Sequence, residues 1–123
     1  MIMLPLLELP SDGEDITIKI LEHQIPDPRK IQRNLGEYVI KCCIYGKENK
    51  HYYLRLRSFV IKEILNQCKN NNIPIDKDLN CSVGRVFTVF GKRRADTPKR
   101  LWRKNEITYK LEPPMVHTFK LVI

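Results

Sequence analysis

Residues 92–104, KRRADTPKRLWRK, gather seven cationic side chains and one acid, Asp96, around the only tryptophan of a 123-residue chain. The run carries a net charge of +6, so the other 110 residues share only +2 of the total +8. The positive field is therefore concentrated in one segment. Such a cluster attracts polyanions, and an indole beside guanidinium groups gives a nucleobase a flat face to stack on. Single-stranded nucleic acid uses both features. A solvated loop, or a docking site for an acidic protein, uses only the charge.

Other reactive side chains form no comparable constellation. Cys42 and Cys43 are adjacent, which on a strand sends them to opposite faces; Cys68 lies in a helical pattern, and Cys81 stands alone. None forms a CxxC pair, and His23, His51 and His117 share no ligand spacing with them, so buried thiols acting as small apolar groups are expected, with no metal and no cofactor. A Cys68–Cys81 disulfide is the alternative. No glycine-rich phosphate loop, paired carboxylates or Ser, His and Asp signature suggests an enzyme. Nuclease chemistry is the one catalytic option, and it would draw on Asp76, Asp78 and Asp96 for a divalent ion. Asp76 and Asp78 are better read as ordering the turn after the helix.

The elements that must position the cationic run follow from length and periodicity. A chain of this size with 42% apolar residues supports one domain with a modest core. Scattered Pro and Gly mark no linker, and no repeat is visible. Residues 1–9 are apolar but too short to span a bilayer, and they lack a basic leader. They read as an edge strand, or else as a docking peptide, and the protein as soluble and cytoplasmic.

Ile16, Ile18 and Ile20 alternate with Thr17, Lys19 and Leu21, predicting a half-buried strand over 15–23. Prolines 26 and 28 make residues 24–35 a polar surface connection. Residues 38–45 and 51–57 read as a hairpin about a turn at 46–50. In the return strand Tyr52, Leu54 and Leu56 share one side, while His51, Tyr53, Arg55 and Arg57 share the other, so one face is core and its reverse is aromatic and cationic. Ser58 is placed to cap a helix over 59–69, with Val60, Ile61, Ile64, Leu65 and Cys68 inward and Lys62, Glu63, Asn66, Gln67 and Lys69 in water. No second helix braces it, which argues against helix-turn-helix DNA recognition. Residues 83–90 resume a strand. Ile107, Tyr109 and Leu111 alternate in a returning strand over 106–111, so the basic run becomes the long tip of a hairpin, and a last strand covers 116–122.

The order strand, strand, strand, helix, strand, strand resembles the oligonucleotide-binding barrel, the OB fold, over residues 15–112. The resemblance implies a mainly β fold with one helix, a five-stranded OB-like barrel with the helix between strands three and four. The N-terminal apolar segment 1–14 and a C-terminal strand at 113–123 would flank it in a single domain. It also implies nucleic acid lying across strands two and three. On this chain the platform would be Tyr53, Arg55 and Arg57 with Tyr45. The gripping loops would be Lys92, Arg93, Arg94, Lys99, Arg100, Trp102, Arg103 and Lys104 on one side, and Arg29, Lys30 and Arg33 on the other. The expected function is non-enzymatic binding of single-stranded nucleic acid, DNA ahead of RNA. The alternative is an adaptor or structural subunit of a larger nucleoprotein or polymerase assembly, docking through the basic loop on an acidic protein or on structured RNA.

Overall fold

The computed structural model describes residues 4–24, 37–74 and 82–123. Among them lie five long strands and an α-helix: β1 (Asp15–Gln24), β2 (Glu37–Ile44), β3 (Lys47–Arg57), α1 (Ser58–Asn70), β4 (Val86–Arg93) and, after a two-stranded ribbon of β5 (Arg103–Lys104) and β6 (Leu111–Glu112), β7 (Met115–Leu121). The long strands form one antiparallel sheet in the order β3-β2-β1-β4-β7. The fold is mainly β, as the alternating sequence demands. Among the described residues no ladder joins β3 to β7, so the sheet is open and does not close as a barrel.

Alternation sorts the sheet into two faces. Ile18, Ile20, Tyr38, Ile40, Leu54, Leu56, Phe87, Val89, Phe119 and Leu121 are buried on one side, where Ile61, Ile64, Leu65 and Cys68 of α1 cover them. Cys42 belongs to this core. Cys43 is buried on the reverse face, between Lys19 of β1 and His51 of β3 in the register. Burial, with the neighbouring Cys43, pushes the Cys42 thiol up to about 12. Cys81 lies outside the described residues, so the structure does not address its pairing with Cys68.

Four sequence expectations shift. The β2–β3 turn is only Tyr45 and Gly46, because Gly46 takes φ +88 and a two-residue connection matches the strand twist; Lys47 to Lys50 belong to β3. Ser58 does not cap the helix. It is the first helical residue, 1% exposed, and Arg57 occupies the cap position without a side-chain hydrogen bond. Strand β4 begins at Val86, since Gly84 at φ +81 bends the chain toward β1 and donates its N–H to the Ile20 carbonyl at 2.7 Å. The largest correction is the last strand. The partner of β4 is β7, not residues 106–111: residues 106–108 form a turn, where the Asn105 side-chain oxygen accepts from the N–H groups of Ile107 (2.8 Å) and Thr108 (3.1 Å), and Leu111 joins the short β5–β6 ribbon.

Both outer edges of the sheet are occupied by something other than a strand. At β3, residues 5–7 run alongside as a strap: Tyr53 donates its N–H to the Pro5 carbonyl (2.9 Å) and accepts from Leu7 (2.7 Å). This is an isolated bridge, because Pro5 offers no N–H with which to extend it. The strap inserts Leu7 into the core and crosses to β4, where Gly13 donates to the Gly91 carbonyl at 3.1 Å and the His117 Nε2–H donates to the Pro10 carbonyl at 3.0 Å. At β7, Gln67 of α1 does not face water as Lys62, Glu63, Asn66 and Lys69 do. Its amide nitrogen donates to the Phe119 carbonyl, and its oxygen accepts the Leu121 N–H at 2.8 Å. One side chain thus fills the slots that a neighbouring strand would use. No helix among the described residues is long and apolar enough to cross a membrane.

Candidate nucleic-acid interface

The basic loop is a folded excursion between β4 and β7, longer than a hairpin tip. Its base is closed by Glu112, whose Oε2 accepts from the Arg93 guanidinium at 2.7 Å and from the Asn105 amide at 3.0 Å. The Asn105 hydrogen bond, reinforced by Arg93 and opposed by partial desolvation, holds the Glu112 carboxyl below its usual range. The Arg94 N–H donates to the Pro114 carbonyl at 3.0 Å, and Asn105 pairs with Lys110 across the β5–β6 ribbon at 2.9 Å. Near the tip, residues Lys99–Leu101 form a single 3-10 turn.

Within this frame the sequence-predicted cations divide. Arg93 is half-buried and committed to Glu112, and Arg94 pairs with Asp96 at 3.3 Å on the open surface. Lys92, Lys99, Arg100, Arg103 and Lys104 are exposed. Trp102 is half-buried, with its Nε1–H donating to the Thr97 carbonyl at 2.9 Å and the Lys99 ammonium 5.7 Å from its ring centroid. Asp96 is the one nuclease candidate among the described residues, and no group of three or more His, Cys, Asp or Glu there could hold a metal ion.

The sheet residues fall where alternation places them. Tyr53 is 40% exposed, and Arg55 and Arg57 are exposed on the same face, opposite Leu54 and Leu56. Their cross-strand neighbours on β2 are Lys41 for Tyr53 and Val39 for Arg55, and Lys41 is flanked on β1 by the exposed Glu22. That face is therefore mixed in charge. Tyr45 is exposed at the β2–β3 turn.

Register shows which of these residues meet. The loop leaves β4 beyond the Phe90–Asp15 pair, at the start of β1, and the Tyr45 N–H donates to the Thr17 carbonyl at 2.9 Å at that same end. Tyr45, Lys47 and Lys50 thus share the end of the sheet from which the loop emerges. Arg55 lies at the other end, in the row of Val39 and Gln24. From Asp15, where the loop leaves, to Gln24 is nine residue steps along β1, about 30 Å at 3.3 Å per residue. Arg29, Lys30 and Arg33 lie outside the described residues.

Sequence reasoning missed two exposed side chains in the excursion. Ile107 is 88% exposed and Tyr109 is 76% exposed, and the Lys104 ammonium sits 5.6 Å from the Tyr109 ring centroid. Their alternation with Leu111 imitates a strand; the contrary signal is Asn105, whose short amide favours a turn over a ladder. No protein-family model, curated protein or solved structure matches the chain.

Proposed function

We propose that this protein binds single-stranded nucleic acid without catalysing a reaction, DNA in preference to RNA, with the cationic excursion as its principal contact. The observation that carries the reading is the folded state of that excursion. Glu112, Asn105 and Trp102 tie down a segment that nevertheless leaves Lys92, Lys99, Arg100, Arg103 and Lys104 exposed. Ordering entropy is then offset before a ligand arrives, which favours binding. A merely solvated loop has no use for such internal bonding.

The OB-like reading has two supports. The long strands keep the order strand, strand, strand, helix, strand, strand, although β7 supplies the fifth. The strap covers the outer edge of β3, one of the two edges that a closed barrel would join. In this reading a strand of nucleic acid runs from the excursion past Tyr45 toward Tyr53, Arg55 and Arg57. A path of 30 Å takes about nine nucleotides at the 3.4 Å spacing of a duplex strand, and fewer when extended.

The adaptor reading draws on Leu101, Ile107, Tyr109 and Leu111, which are exposed in the same excursion and would suit a protein surface. Anisotropy titrations with equal lengths of labelled single-stranded DNA, single-stranded RNA and duplex DNA, at two salt concentrations, separate the two. Salt-sensitive binding that favours single strands is expected. No binding to any oligonucleotide at low salt would overturn the nucleic-acid reading and leave the adaptor.

A further inference from the structure

Resting on that reading, we infer that Tyr109 is the side chain of the excursion that stacks on an unpaired base, with Ile107 as the adjoining apolar contact and Trp102 as an internal clamp. Trp102 has the ring area for stacking, but it is half-buried and its indole N–H is held by the Thr97 carbonyl. A base approaching it would compete with contacts that shape the loop.

Tyr109 has the opposite character. Its ring projects into solvent with the Lys104 ammonium over it, so a stacked base would meet an aromatic face and a cation able to reach its phosphate. Neither Tyr109 nor Ile107 belongs to the core cluster, so their apolar surface gains nothing from folding. The backbone points the same way. Tyr109 sits at φ 57, a left-handed conformation that glycine or asparagine adopts readily and a bulky side chain does not. A tyrosine held there, anchored by its N–H to the Asn105 carbonyl at 2.9 Å, carries a conformational cost against which the fold sets only the exposed Lys104 contact. Stacking on a ligand offsets the remainder. A duplex keeps its bases stacked on one another, so this contact also discriminates single strands from duplex.

Anisotropy of labelled oligothymidylate, with wild type, Tyr109→Phe, Tyr109→Leu and Tyr109→Gly compared at one salt concentration, tests the inference. Y109F keeps the ring and should bind within twofold of wild type. Y109L keeps apolar bulk without a π face and should lose about five- to 150-fold in affinity, the range that base stacking on an aromatic ring commands. Y109G should lose at least as much while melting no lower than wild type, because glycine relieves the left-handed strain. A purely structural role would move stability and leave binding alone. Wild-type binding with Y109L and Y109G unchanged would overturn the inference and spare the function proposed above. Absence of wild-type binding at low salt would remove both.

Discussion

Substituting Gly91 with alanine separates two opposed effects at one atom. Gly91 lies outside the left-handed region, so alanine fits its backbone, and Gly→Ala at such a site stabilises by about 0.4–1 kcal/mol through the unfolded chain. The strap reverses the sign. A Cβ at residue 91 would stand 2.9 Å from the Ser11 carbonyl oxygen and closer still to that of Pro10, and both are backbone atoms unable to rotate away. Forcing a methyl group into such a contact costs about 1–3 kcal/mol. Release of the strap sets an upper bound. It would forfeit the Gly13–Gly91 and His117–Pro10 hydrogen bonds, near 1 kcal/mol each, and with full detachment the two Tyr53 hydrogen bonds, of similar size, and the burial of Leu7, about 1.5–3 kcal/mol. The expected result is a net loss of about 2 kcal/mol, read as a lower midpoint in urea unfolding followed by circular dichroism. Protease cleavage within residues 5–13 should accelerate in parallel. An unchanged or raised midpoint with the strap still protected would refute the close-approach argument.

Replacing Gln67 with alanine removes both hydrogen bonds to β7, at a cost of about 1–3 kcal/mol; concentration-dependent self-association, measured by sedimentation, should appear as the strand edge opens. Glu112 has a folded pKa below its ordinary value of 4.5, so its contribution is complete above pH 4.5 and is lost as the pH falls through the depressed value. The Asn105 side-chain amide resonances should report that acid transition, and Glu112→Gln should abolish it. In a Cys81→Ser background, Cys42, Cys43 and Cys68 should resist a disulfide reagent at pH 8 until the protein unfolds, because all three are buried; rapid modification of the native state would contradict that packing.

The sheet was legible where side chains alternate into a core. Ile18 and Ile20, Leu54 and Leu56, and Phe87 and Val89 announce their faces in sequence and are buried accordingly. Ile107, Tyr109 and Leu111 alternate just as cleanly and are exposed, because period reveals geometry but not whether a partner strand is present. The cationic loop was visible because charge is a property of composition. The division of labour within it was not, since Arg93 is claimed by Glu112 from across the loop and Trp102 by Thr97 through a bend. Gln67 was hidden for the same reason, and of the strap the sequence suggested an edge position for residues 1–9 but not the crossing to Gly91, because those partners lie far along the chain.

The strap also fixes an order of events during synthesis. It precedes every strand it binds, yet Tyr53 must be made before Leu7 has a partner, and Gly91 before Gly13 has one. Hairpin β2–β3 forms from near neighbours, whereas docking of the strap's far end awaits β4, a long-range contact of the kind that forms slowly. On a ribosome the first of these segments to emerge is therefore among the last to settle: its Leu7 end gains a partner once β3 is made, whereas its Gly13 end waits for β4 and Pro10 for His117 of β7.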